Sequence, residues 1–163
     1  MRTIEFLRFC IFLGLFCLAI TSASMAASLP SIAVAIIANP DVPAGDLSLA
    51  EIRKIFMGDR QYWTPSLPIT LLVRAPVARE RDVVLKVIYR MTEQEFRQYW
   101  IGKIFRAEVV SGPKIVYSTE MTGELVAQLP GGVSFVDADK IPKGVKVLRT
   151  NGLNPTDPTY PLR

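Results

Sequence analysis

Residues 48–58 read Ser-Leu-Ala-Glu-Ile-Arg-Lys-Ile-Phe-Met-Gly, and this stretch predicts a short helix with both ends marked in the sequence. Ser48 and Glu51 have the spacing of a capping box, in which each side chain accepts a hydrogen bond from the other residue's backbone. Gly58 stands where a helix commonly ends on a left-handed residue. The apolar residues between them recur every three or four positions: Leu49, Ile52, Ile55 and Phe56. Because a helix this short is marginal alone, its apolar face is predicted to pack on a core.

The sequence on both sides of this helix alternates between strand and helix patterns. Apolar runs of strand length lie at residues 29–38, 69–73, 114–117, 133–136 and 145–148. Helical patterns lie at residues 78–91, from Thr92 onward, and at 118–128. Strands that alternate with helices indicate an α/β sandwich with a mostly parallel central sheet. No linker or repeat interrupts the pattern, so one domain is predicted.

Two of these helices have clear polar and apolar positions. Thr92 and Glu95 form a second capping box, followed by Phe96, Trp100 and Ile104 at a spacing of four. In residues 78–91 the polar face is predicted to carry Arg79, Glu80, Lys86 and Arg90. The residues predicted to be buried against the strands are Leu49, Ile52, Ile55, Phe56, Val84, Ile88, Phe96 and Trp100.

The first 26 residues have the form of a secretory signal peptide. Arg2 and Arg8 precede or flank an apolar stretch at residues 9–20, which is short for a membrane span. Ser24 and Ala26 then occupy the −3 and −1 positions of a cleavage site after Ala26. An uncleaved membrane anchor is the alternative. The prediction is a signal peptide over 1–26, a domain over 27–150 and an irregular tail over 151–163.

The composition argues against several classes of function. The chain has no histidine, and its only cysteines are Cys10 and Cys17 in the predicted signal peptide. The usual general base and the usual soft metal ligands are therefore missing, and there is no Gly-x-Ser-x-Gly elbow. We expect no enzyme activity, no metal and no cofactor. The net charge of +4 is modest and forms no basic block, so nucleic acid is not an expected partner.

A series of short motifs in a fixed order resembles the second half of the phosphate-type substrate-binding proteins of ABC transporters. These motifs are residues 48–58, Trp63, Pro-Ile at 68–69, Leu-Val-Arg at 72–74, Tyr-Trp at 99–100, Lys-Ile-Phe at 103–105, Gly-Pro at 112–113 and Pro-Gly-Gly-Val-Ser-Phe-Val at 130–136. The resemblance implies one lobe of a type II periplasmic-binding-protein fold and a periplasmic location. It also implies that Trp63 and Trp100 pack structurally.

The resemblance also suggests where an anion would bind. In that family a strand ends in an arginine, and Ser-Gly-Thr then begins a helix; the arginine, the hydroxyls and the helix amides hold phosphate. Arg74 matches the arginine, whereas Ala78, Arg79 and Glu80 stand where Ser, Gly and Thr would fall. These four residues form the candidate anion site. Two hydroxyls are lost, and Glu80 adds a negative charge. The alternatives are that Arg74 is a solvated or salt-bridged surface residue and that Arg79 and Arg81 belong to a solvated helix face.

Two functions follow from these observations. The first is a secreted, non-enzymatic solute-binding-type protein that binds phosphate or another oxyanion weakly, with a dissociation constant no tighter than about 0.1 mM. Its protein partner would be an ABC permease or another periplasmic or membrane protein. The second is a periplasmic protein–protein interaction module that keeps the fold but has lost the anion site.

Overall fold

The computed structural model describes residues 32–163. The signal peptide predicted over residues 1–26 lies outside these residues, as does the beginning of the strand predicted over 29–38.

Six strands of residues 32–163 form the central sheet. They are β1 (Val34–Ala38), β2 (Asp46–Leu47), β5 (Thr70–Arg74), β6 (Lys114–Val116), β7 (Gly132–Asp137) and β8 (Lys146–Thr150). Their order in space is β2-β8-β1-β7-β5-β6. Only β1 runs antiparallel to its neighbours, β7 and β8, while the other pairings are parallel. The predicted α/β class with a mostly parallel sheet is therefore confirmed. A separate hairpin consists of β3 (Tyr62–Thr64) and β4 (Leu67–Pro68).

The helices begin where the sequence predicts. They are α1 (Leu49–Phe56), α2 (Arg79–Val84), α3 (Glu93–Phe105) and α4 (Thr119–Gln128), and a π-helical turn at Leu85–Tyr89 extends α2. Both capping boxes are present: Ser48 with Glu51 begins α1, and Thr92 with Glu95 begins α3. Gly58 has a φ of +70°, as a residue that ends a helix in the left-handed conformation requires.

The core lies on both faces of the sheet. Successive residues of β1 alternate between the two clusters, because side chains of a strand point to opposite faces in turn. One cluster packs under α1, α2 and α3, and the smaller one packs against α4. All the residues predicted to be buried are buried except Leu49, which is half-buried against the core.

Ile104 does not share the buried face of α3 that its spacing predicts. Its side chain is 44% exposed, whereas Phe96 and Trp100 are buried. The reason is that α3 carries apolar residues around most of its circumference, so a spacing of four alone does not identify the face that meets the core.

The C-terminal residues pack on the core without forming a helix or a strand. Tyr160 and Leu162 are buried, and the carbonyl of Leu162 accepts a hydrogen bond from the Val34 N–H at 2.8 Å. The first strand of the sheet is thus tied to the last residues of the chain. Within residues 32–163, the structure has no helix with the length and apolar character that crossing a membrane requires.

Candidate anion site at the end of strand β5

Arg74 is the last residue of β5, which lies between the parallel strands β7 and β6. Its side chain is only 8% exposed. A guanidinium that is withdrawn from water costs free energy unless it is paired, so the surroundings of Arg74 decide what it can do. The alternative that Arg74 is a solvated surface residue is ruled out by this burial.

The partner of Arg74 is the carboxylate of Glu80. Nε of Arg74 lies 2.5 Å from Oε1 of Glu80, and the Glu80 side chain is as buried as the arginine. Nη1 of Arg74 also donates to the hydroxyl of Thr122 on α4 at 3.4 Å. The arginine that the resemblance assigns to an anion is therefore already neutralised by a carboxylate of the same chain. Placing Glu80 on the exposed face of its helix was wrong for the same reason.

Arg81 links Arg74 to a second carboxylate, that of Glu93. Its Nε and Nη2 donate to the two carboxylate oxygens of Glu93 at 2.8 and 3.0 Å, which is a bidentate pair. Its guanidinium carbon lies 4.7 Å from the ring centre of Phe96, and Nη1 donates to the backbone carbonyl of Arg74. Arg81 is only 2% exposed, so the expectation that it lies on a solvated helix face was wrong.

Ala78 and Arg79 take no part in the contact with Arg74. Ala78 is the N-cap of α2, and its side chain makes no capping hydrogen bond. Arg79 pairs with the carboxylate of Asp137 and donates to the carbonyl of Ile32 at 3.0 Å. With 42% of its side chain exposed, Arg79 lies on the surface as predicted. The structure thus brings together Arg74 and Glu80, but not the other two residues of the predicted set.

Sequence reasoning missed Thr122, Arg81 and Glu93 as members of this cluster. Thr122 lies 48 residues from Arg74 in the chain, and nothing in the local sequence links them. One signal was available: Glu80 has the charge opposite to that of Arg74 and follows it across a short turn. A carboxylate at the position of a phosphate-binding hydroxyl can act as the anion itself.

The two tryptophans have packing roles, as predicted. Trp63 is buried and donates from Nε1 to the carbonyl of Gly131 at 2.9 Å. Gly131 has a φ of +67°, and a Cβ there would lie 2.0 Å from the Pro68 carbonyl oxygen, so the turn into β7 requires glycine. Trp100 is buried and lies against Gly58.

Two ion pairs lie at this end of the sheet: Arg74 pairs with Glu80, and Arg81 pairs with Glu93. In residues 32–163 no three acidic side chains gather closely enough to hold a metal ion. An oxyanion at Arg74 would have to compete with the carboxylate of Glu80 for the guanidinium.

The chain is similar in fold to solved phosphate-binding proteins of ABC transporters. One is a phosphate ABC transporter substrate-binding protein with bound phosphate from Clostridium perfringens, at 17% identity and a TM-score of 0.61 over 76% of this chain and 47% of that one. Another is an ABC-type phosphate transport receptor from Vibrio cholerae, at 19% identity and a TM-score of 0.60 over 76% and 48%. A third is PstS from Borrelia burgdorferi, at 17% identity and a TM-score of 0.62 over 80% and 53%.

These likenesses confirm the predicted resemblance at the level of the fold. The chain spans about half the length of the structures that it matches. No protein-family model matches the sequence, and the search of curated proteins found no match either.

Proposed function

We propose that this chain is a periplasmic protein–protein interaction module, built on one lobe of the phosphate-binding fold, whose anion site is filled by its own Glu80. The observation that carries this proposal is the buried pair between Arg74 and Glu80. In the alternative, a solute-binding-type protein, phosphate or another oxyanion would have to share Arg74 with Glu80 or displace that carboxylate.

The cost of opening the pair supports this choice. Leaving one member of a buried ion pair without its partner typically costs about 3–5 kcal/mol. That corresponds to roughly two to four orders of magnitude in the affinity of a competing anion. Phosphate would also meet Ala78 in place of a hydroxyl, so little is gained in return. The retained arginine is therefore a structural residue rather than a ligand for solute.

With Arg74 held by Glu80, the outer surface of the domain is what the proposal leaves for recognition. The partner would be an ABC permease or another periplasmic or membrane protein, and no catalytic role is proposed.

Phosphate titration by calorimetry tests the proposal. The wild-type protein should bind phosphate no more tightly than about 0.1 mM. The triple change Ala78→Ser, Arg79→Gly and Glu80→Thr should strengthen binding at least tenfold, because it removes the competing carboxylate and adds two hydroxyls. Glu124→Thr, which removes an exposed carboxylate from α4, is the matched control and should change nothing.

Two outcomes would contradict the proposal. A micromolar wild-type affinity that Arg74→Ala abolishes would show that Glu80 yields to phosphate and that the protein binds solute. A micromolar affinity that Arg74→Ala leaves unchanged would place a solute site elsewhere on the lobe.

Export is a separate part of the proposal. The sequence of residues 1–26 supports cleavage after Ala26, which would leave a chain that begins at Ala27. Mass spectrometry of the periplasmic fraction should detect that N-terminus. Recovery of only the full-length chain, bound to membranes, would favour the uncleaved anchor instead.

A further inference from the structure

We propose that the outer edge of strand β6 binds an extended, acidic segment of another protein, whose apolar side chain enters a groove at the start of that strand. This inference rests on the proposed interaction function and names its surface.

Strand β6 is the last strand of the sheet, and no described residue pairs with its outer side. Its inner side is bonded to β5, and the carbonyl of Val116 accepts a hydrogen bond from the Ala75 N–H at 2.8 Å. Backbone groups of successive strand residues point alternately to the two sides of the strand. Since Val116 faces β5, the N–H and C=O of Ile115 face outward. An edge of this kind is a template for an added strand.

A groove lies beside the beginning of this edge. Its cavity has a volume of about 240 Å³, and its floor includes Leu71, Trp100 and Val109. Small-molecule sites usually have volumes of about 300–1,000 Å³, so this groove is closer in size to a single side chain. An apolar residue of an extended peptide is the occupant that fits this space.

The charge of the rim selects an acidic partner. Arg60 and Lys114 line the groove, and no carboxylate lines it. The nearest acidic residues, Asp59 and Glu108, pair with Lys103 and Arg106. Lys114 is exposed and forms no ion pair with any described residue. Opposite charge at a rim favours encounter with the right partner and disfavours the wrong one.

Several apolar residues of the segments that carry the groove are exposed. Phe105 is 90% exposed and Val110 almost completely so, and Ile104 lies close to Gly112 in the groove wall. Ile115 itself is 41% exposed. Exposed apolar residues beside charged ones are typical of protein-binding surfaces. A second copy of this chain is a less suitable occupant, because two chains with a net charge of +4 repel one another.

A defined peptide can test the inference. The probe is acetyl-Asp-Leu-Thr-Val-Thr-Val-Glu-amide, which has alternating apolar residues and an acid at each end. Its control has lysine in place of both acids. Binding is measured by tryptophan fluorescence and calorimetry, and hydrogen exchange over residues 111–117 reports the location. The acidic peptide should bind at least tenfold more tightly than the basic one and should slow exchange at Ile115.

Two matched pairs of variants locate the site. Ile115→Pro removes the outward N–H at an edge position that tolerates proline, and it should weaken binding at least tenfold. Ile115→Thr keeps that N–H and should retain most of the affinity. Lys114→Glu should weaken binding of the acidic peptide at least tenfold and strengthen binding of the basic one. Lys143→Glu, an exposed lysine outside the groove lining, should leave both affinities unchanged.

Several outcomes would overturn the inference. They are no binding of the acidic peptide at 1 mM, equal binding of both peptides, or full binding by Ile115→Pro. Dimerisation in sedimentation experiments that Ile115→Pro abolishes would assign the edge to a second copy instead. The failure of this inference would leave the phosphate titration unaffected, so it can be told apart from failure of the proposed function.

Discussion

The positively charged side chains at the two ends of strand β5 differ in burial and in pairing. At the carboxyl end, Arg74 is buried, and its guanidinium is held by Glu80 and Thr122. At the amino end, Thr70 and Leu71 border a groove whose rim has two cations and no carboxylate. The first set of charges is satisfied within the chain, whereas Lys114 at the second end has no partner among residues 32–163.

This difference shows how burial determines whether a cationic side chain pairs within the chain. A charge removed from water must be paired, and Glu80 and Arg74 pair with each other. A charge that stays in water costs nothing to keep and can attract a partner. The proposed function assigns the side chains at the carboxyl end of β5 to structure, and the proposed docking surface lies at the amino end.

The largest effect is expected in the core that joins the two ends. The Phe56 ring is buried, with its centre 6.0 Å from that of Phe135 and 6.1 Å from that of Tyr89. Phe56→Ala should lower the free energy of unfolding by about 3–5 kcal/mol, since it removes the ring and leaves a cavity. Urea unfolding measures this change.

Trp100→Ala should lower the free energy of unfolding by a similar amount, because its indole is buried on α3 and lies against Gly58. Phe105→Ala is the matched control for ring loss; at 90% exposure it should change stability by less than about 0.5 kcal/mol. A loss below about 1 kcal/mol at both Phe56 and Trp100 would contradict the assignment of this core.

The next largest effect is expected from breaking the buried ion pair at the carboxyl end of β5. Glu80→Ala should lower the free energy of unfolding by about 3 kcal/mol, because it leaves Arg74 buried without a carboxylate. The double change Arg74→Met and Glu80→Leu should restore most of this stability, since apolar replacement of a buried pair is often neutral. Chemical denaturation of the single and double variants measures both.

The matched change at the open end is Lys114→Ala. It removes an exposed charge that has no partner, so stability should change by less than about 0.5 kcal/mol. Equal losses in the free energy of unfolding from Glu80→Ala and Lys114→Ala would show that the charges at the two ends of β5 contribute equally to stability.

A smaller effect is expected from Arg81→Lys. An ammonium group can replace the charge but not the two parallel hydrogen bonds to Glu93, nor the stacking over Phe96. We expect a loss of about 1–2 kcal/mol in the free energy of unfolding. Arg97→Lys, on the exposed part of α3, is the control. Equal stability of Arg81→Lys and wild type would mean that the bidentate geometry contributes nothing.

Local signals in the sequence predicted the helices and most of the strands. The two capping boxes and the left-handed Gly58 are rules that act within a few residues, so they can be read directly. The short pairing of β2 with β8 and the hairpin of β3 and β4 were not predicted. Strands β2, β3 and β4 have only two or three residues, which is too short for a periodic pattern.

The site was harder to predict because its contacts are not local. Burial of Arg81 depends on Glu93, which begins another helix, and the second contact of Arg74 comes from Thr122 on α4. The groove near Lys114 combines Arg60, Leu71 and Trp100, which are distant in sequence. Charge and periodicity alone suggest that such arginines face solvent. Only the tertiary arrangement shows which of them are buried.

The smallest effect concerns the capping box that begins α3, the helix that leads from the closed end at Glu93 to the groove at Trp100. Hydrogen bonds from the backbone N–H and the hydroxyl of Thr92 lower the pKa of Glu95 below its ordinary value of 4.5. A carboxyl with a lowered folded-state pKa contributes stability in full above its unfolded pKa, and that contribution is lost as the pH falls through the folded pKa. Wild type should therefore be more stable than Glu95→Gln near pH 6, and the difference should shrink below about pH 4.5. Urea unfolding at a series of pH values measures this difference, with Glu124→Gln as the control for an exposed carboxylate. A difference that stays constant from pH 6 to pH 3 would mean that ionisation of Glu95 does not contribute to the cap.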